Sequence, residues 1–195
     1  RKISFIPFIY DSNTQELKNL HNVTFEVNEL VSDQFSNFNN IKRSRLFESF
    51  YEDMIVNYER SSREEDYQAS SILYICGGNS LNHPYVQDLI EWRHKIGYVV
   101  NAVSTNDIGS DNASTIKNYI QNAYETWDNP PEIVGLIGDT DGSYEIGYFT
   151  ENWSVYNGAG DLPYSQLDGD DLLPEVFIGR ISVNSSNDLS NVINK

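Results

Sequence analysis

Glu132-Ile133-Val134-Gly135-Leu136-Ile137-Gly138-Asp139 is a nearly unbroken apolar run closed by Gly and Asp. A strand reads this way when both of its faces are covered, as in a parallel sheet between layers of helices. Upstream, Ser71-Ile72-Leu73-Tyr74-Ile75-Cys76 is a second such run, stopped by Gly77-Gly78-Asn79. Between the two, the pattern predicts a helix over 84–96 with Val86, Leu89, Ile90 and Trp92 inward and Gly97 as its stop. A strand over 98–103 follows. Asp111 or Asn112 then caps a second helix with Ile116, Tyr119, Ile120, Ala123, Tyr124 and Trp127 as its apolar stripe. Strand, helix, strand, helix, strand implies α/β architecture with a mainly parallel sheet flanked by helices. Tyr144 to Tyr156 reads as a Gly- and aromatic-containing excursion. Val176 to Ile178 is a further strand, and Ser185-Ser186-Asn187-Asp188 opens a helix that runs towards Lys195.

Ahead of this unit the character changes. Residues 1–31 are β-rich, with Phe8-Ile9-Tyr10 leading into the turn Asp11-Ser12-Asn13. The segment 32–70 is a bridge. It starts polar, then places Leu46, Phe47, Phe50, Tyr51, Met54, Ile55 and Tyr58 at helical spacing. Glu59 to Ser71 is charged and Ser-rich, a solvated linker or cleavage-accessible loop, and the domain boundary is expected there. The α/β unit occupies 71–195.

Of the 195 residues, 29 are acidic and 13 basic, a formal net charge of -16. Such a chain has little with which to replace the counterions of a nucleic acid, so none is expected as partner. No apolar run reaches the roughly 18–20 residues that span a bilayer. The single cysteine, Cys76, cannot form an internal disulfide, and its apolar neighbours place it in a strand core. His21, His83 and His94 lack metal-ligand spacing. No nucleophile–base pair, phosphate loop or HExxH motif is present. Gly77-Gly78-Asn79-Ser80 does not cradle a phosphate, which counts against a nucleotide-binding or flavodoxin-like domain.

Chemistry in a parallel sheet gathers beyond the carboxyl ends of its strands. Asp139 sits there, in Gly138-Asp139-Thr140-Asp141-Gly142. A second acidic group is Asp168-Gly169-Asp170-Asp171, with Asp161 upstream. Hard carboxylate oxygens at this density suit calcium, and Asp139, Asp141, Asp161, Asp168, Asp170 and Asp171 are its candidate ligands. The same residues serve equally as an acidic pocket for a basic side chain, or as solvated turns.

The order of these pieces, and above all the string GDLPYSQLDGDDLLPEVFIGRISV ending in Gly179-Arg180, resembles the first half of the catalytic domain of gingipain-type cysteine peptidases. The resemblance covers about Ser71 to Lys195, and Leu46 to Tyr58 resembles the bridge from that family's β-rich prodomain. It implies a caspase-like, gingipain-like first subdomain. It also implies secretion to the bacterial exterior or cell surface, stabilisation by calcium, and maturation by cleavage after basic residues. The family's His and Cys follow later strands. The dyad is therefore expected C-terminal to Lys195, on a catalytic half of the same precursor that completes this chain and acts on protein or peptide substrates. This chain alone is expected to be inactive. The alternative is a non-catalytic relative serving as an adhesin or secretion-system component.

Overall fold

The computed structural model describes residues 8–19, 43–55, 57–153, 156–169 and 172–193. The chain forms two compact units, Arg1–Ile41 and Lys42–Lys195. In the first, β1 (Phe8–Asp11) pairs antiparallel with β2 (Glu16–Asn19). The Asp11 carboxylate holds their turn by accepting from the backbone of Asn13 and Thr14.

The second unit is built on four parallel strands, β3 (Ser71–Cys76), β4 (Val99–Ser104), β5 (Ile133–Ile137) and β8 (Phe177–Ile181). Their order across the sheet is β4-β3-β5-β8. All six residues of β3 are buried, as its unbroken apolar run requires. Alternate side chains go to opposite layers. Leu73, Ile75, Val134 and Leu136 pack with Ile116, Ile120 and Ala123 of α4 (Ala113–Thr126). Ile72, Tyr74, Cys76 and Ile137 pack with Val86 of α2 (Pro84–Lys95) and Leu189 of α5 (Ser186–Ile193). Asn112 caps α4 through its side-chain oxygen, and Gly97 ends the turn after α2 at φ +100°.

The expected elements stand close to their expected bounds, with three differences. Trp92 is not inward. It is 51% exposed, with the Arg93 guanidinium 4.8 Å from its ring centre. Two residues beyond Ile90 is about 200° round the helix, off the buried stripe. The excursion after Tyr144 contains an antiparallel hairpin, β6 (Phe149–Trp153) with β7 (Tyr156–Gly160). A one-turn helix, α3 (Thr105–Ile108), follows β4, capped by Ser104.

The compactness break falls between Ile41 and Lys42, upstream of the Glu59–Ser71 connection. The bridge helix α1 (Glu48–Met54) and its leading residues belong to the α/β body. Arg43 makes a parallel bridge with Tyr67. The Ser44 hydroxyl donates to buried Glu132. Phe47, only 3% exposed, stacks on Phe177 at 4.5 Å.

Candidate functional site at the carboxyl edge of the sheet

Four strand ends and the loops after them make this edge. Gly77 N–H donates to Ile137 O at 2.9 Å and Gly138 N–H to Ile181 O at 3.1 Å, carrying the ladder one residue past β3 and β5. The 3-10 turn Gly142–Tyr144 then folds back over both glycines. A Cβ on either Gly77 or Gly138 would lie 2.1 Å from the Tyr144 carbonyl oxygen, so no larger residue fits this approach. Asp139 closes the turn: its N–H donates to Tyr144 O and its carbonyl accepts from Ile146 N–H.

The side-chain carboxylate of Asp139 accepts from Thr140 N–H at 2.8 Å and the Ser182 hydroxyl at 3.2 Å. Asp141 accepts from the Asn184 amide at 3.3 Å, and the oxygen of that amide takes Ser143 N–H at 2.8 Å. Asp168 accepts locally from Gly169 N–H. Glu175 fixes the turn before it, accepting from Leu167 and Asp168 N–H. Asp161 lies elsewhere, against Arg180 of β8. The guanidinium grips its carboxylate with two bonds and also donates to the carbonyls of Gly138, Ile146 and Gly147. Tyr164, fully buried, donates its hydroxyl to the same Gly147 carbonyl. Burial holds that phenol well above its ordinary pKa.

The six candidate carboxylates are thus divided. Asp139 and Asp141 share the Ser182–Asn184 side of the edge, Asp161 is taken up by Arg180, and Asp168 is bound into its own turn. Asp170 and Asp171 lie outside the described residues. Among the described residues no three His, Cys, Asp or Glu gather as metal ligands. Sequence alone assigns no role to Arg180, Ser182 and Asn184. Only the Gly179-Arg180 pair signals one of them.

Among the described residues no nucleophile meets a base. Cys76 is fully buried, and burial pushes its thiol up to about 12, with the Ser80 hydroxyl opposing in part. The His83 ring accepts from Tyr85 N–H as the cap of α2, and His94 is exposed in that helix's last turn. His21 lies outside the described residues.

Residues 65–195 match peptidase family C25. The chain belongs to that family. Gingipain R1 of Porphyromonas gingivalis is 29% identical over 99% of this chain, which spans 19% of that relative's length. Gingipain R2 of the same organism is 26% identical over 99% of the chain, spanning 26% of its length. Among solved structures, the Arg-specific cysteine proteinase gingipain R superposes with TM-score 0.54 and 25% identity, covering 70% of this chain and 29% of that one. A complex of the pro- and mature domains of Porphyromonas gingivalis RgpB gives 0.53 and 26%, covering 63% and 27%. The gingipain-type resemblance and the α/β fold with its mainly parallel sheet are borne out. No helix among the described residues is long and apolar enough to cross a membrane.

Proposed function

We propose that this C25 chain is the front part of a secreted gingipain-type cysteine endopeptidase, and that its dyad is supplied by residues following Lys195. The chain is the scaffold: four parallel strands and an edge held by Arg180. The supplied His takes the proton of the supplied Cys, the thiolate attacks the scissile carbonyl, and backbone N–H groups hold the oxyanion. Processing after basic residues is part of the same reading. A non-catalytic adhesin or secretion component is not favoured, because the chain matches peptidases along almost its whole length.

The observation that carries the reading is the burial of Cys76 in a chain of a cysteine peptidase family. The sole thiol of the chain is sealed within β3 and held protonated, so it is packing and not the nucleophile. The test is turnover of peptides with Arg or Lys before the scissile bond. The full-length precursor cleaves them, the 195-residue chain does not, and Cys76→Ala in the precursor keeps its rate. An inactive precursor, or loss of turnover in Cys76→Ala with the fold intact, overturns the reading.

A further inference from the structure

An open sheet ends in two edge strands, and each presents backbone groups that a further strand can take. Here the edges are β8 and β4. β8 carries the charged Arg180, and Phe47 lies over its first residue, Phe177. β4 has no such cover among the described residues. It reads VVNAVS, with no charge and no proline, and these are the devices that usually keep an edge from pairing. Val99 is 40% exposed, and Asn101 is exposed as well.

One bond fixes which groups of β4 point outward. Val99 N–H donates to Ser70 O at 2.8 Å, on the β3 side. In a parallel ladder alternate residues bond to the same neighbour. Val99, Asn101 and Val103 therefore face β3, while Val100 and Ala102 turn their N–H and C=O groups away from it. Those outward groups have no partner among the described residues.

An antiparallel copy of the same strand satisfies them. Val100 of each copy pairs with Ala102 of the other, and each pair exchanges both of its hydrogen bonds. The two-fold axis then passes between the two Asn101 residues, a non-hydrogen-bonded pair whose side chains come closest. Val99 of each copy meets Val103 of the other on the α4 face of the sheet, and Val100 meets Ala102 on the α2 face. The flanking charges fit the same arrangement. The last turn of α2, leading into β4, holds Arg93, His94 and Lys95, and α3, directly after β4, holds Asp107. Lys95 pairs with Glu91 of its own helix at 2.7 Å, and the Arg93 guanidinium lies against the rings of Trp92 and Tyr98. Asp107 is exposed, and its carboxylate accepts from the Ser104 hydroxyl at 2.6 Å. Antiparallel pairing sets the basic end of each copy beside the acidic end of the other, whereas a parallel partner sets like ends together. This matters in a chain of net charge -16, whose copies otherwise repel. At physiological salt that wider repulsion is screened beyond about 8 Å, and the contacts along the strand decide.

We infer that β4 is a homodimerisation edge: two copies of this chain pair through antiparallel β4 strands centred on Asn101, joining two four-stranded sheets into one. Pairing through β4 is independent of the peptidase activity proposed above.

Sedimentation velocity of the 195-residue chain over about 1–200 μM, at about 0.15 M salt, tests it. The chain moves from monomer to dimer as concentration rises. Asn101→Lys and Asn101→Asp each set like charges across the axis and weaken the dimer about tenfold. An equimolar mixture of the two variants restores it, because the axis then joins unlike charges. Ala102→Pro removes an outward N–H without touching the β3 ladder, and leaves a folded monomer with unchanged circular dichroism. A monomer at every concentration overturns the inference. So does a dimer that Asn101→Lys leaves intact, or a mixture no more associated than either variant alone. Assemblies larger than a dimer also overturn it, since a two-fold interface closes on itself.

Discussion

Arg180 holds Asp161 with both arms of its guanidinium, Nε to Oδ2 at 2.9 Å and Nη2 to Oδ1 at 2.7 Å, with only 10% of the arginine side chain exposed. The remaining donors reach the carbonyls of Gly138, Ile146 and Gly147. One side chain therefore joins β8, the end of β5, the turn after it and the end of the β6–β7 hairpin. Arg180→Ala leaves a carboxylate and three carbonyls without this donor, and costs about 3 kcal/mol in urea unfolding. Arg180→Lys keeps the charge but not the planar fork, so its loss falls between wild type and Ala. Equal stability of all three proteins would show that the edge does not depend on the guanidinium.

Cys76 lies at 0% exposure, its thiol raised to about 12. At pH 8 only about one thiol in ten thousand is ionised. Native protein therefore resists thiol reagents until it unfolds, and urea restores stoichiometric labelling. Cys76→Ala costs about 1 kcal/mol for the lost contacts. Cys76→Ser, which buries a hydroxyl in the same place, costs about 1–3 kcal/mol. Rapid labelling of folded protein would contradict the packing seen around β3.

The range of an interaction decides whether the sequence displays it. β3 and β5 were legible because burial on both faces writes an unbroken apolar run, and α4 because Asn112 and the Ile116–Ile120–Ala123 spacing are local. α3 was not, since four residues are too few to show a period. The attachment of the bridge was also hidden. It depends on Ser44 meeting Glu132, 88 residues away. Asp161 shows the same limit in the site. A carboxylate bound to a guanidinium 19 residues later has the local sequence of a metal ligand or a solvated turn. The acidic clusters were visible, but their partners were not.

Two glycines separate close approach from backbone conformation. A Cβ on Gly77 would lie 2.1 Å from the Tyr144 carbonyl oxygen and 2.5 Å from its carbon, both backbone atoms that cannot swing aside. Gly77→Ala therefore forces the Gly142–Tyr144 turn off the sheet edge and costs about 3 kcal/mol. Gly97 meets nothing within 4 Å, but sits at φ +100°. Gly97→Ala costs about 1 kcal/mol, through backbone conformation alone. Thermal melts of the two variants give that order. The reverse order would mean that the turn does not lie against Gly77.

Glu132 gives the docking of the residues leading into α1 a pH dependence of definite sign. The residue is 2% exposed, directly before β5, and its carboxylate accepts from the Ser44 hydroxyl and from Ser71 N–H. Burial raises its pKa above the ordinary 4.5, and the bonds from Ser44, Ser71 and Ser70 oppose that only in part. Nearby Tyr51 of α1 is raised too, first by burial and then by Glu175, Glu48 and Glu132, so it stays neutral and adds no charge beside Glu132. A group raised on folding contributes stability that is complete below its unfolded pKa and lost as pH rises through the folded one. Glu132→Gln removes this titration, and its lost acceptor shifts stability by a constant amount at every pH. The stability of Glu132→Gln relative to wild type should therefore climb from pH 4 towards neutrality and then level off. Denaturant melts at half-unit pH steps measure this difference. A difference that falls with rising pH would show that the folded carboxylate is stabilised in its charged form, by hydrogen bonds from Ser44 and Ser71 strong enough to outweigh burial.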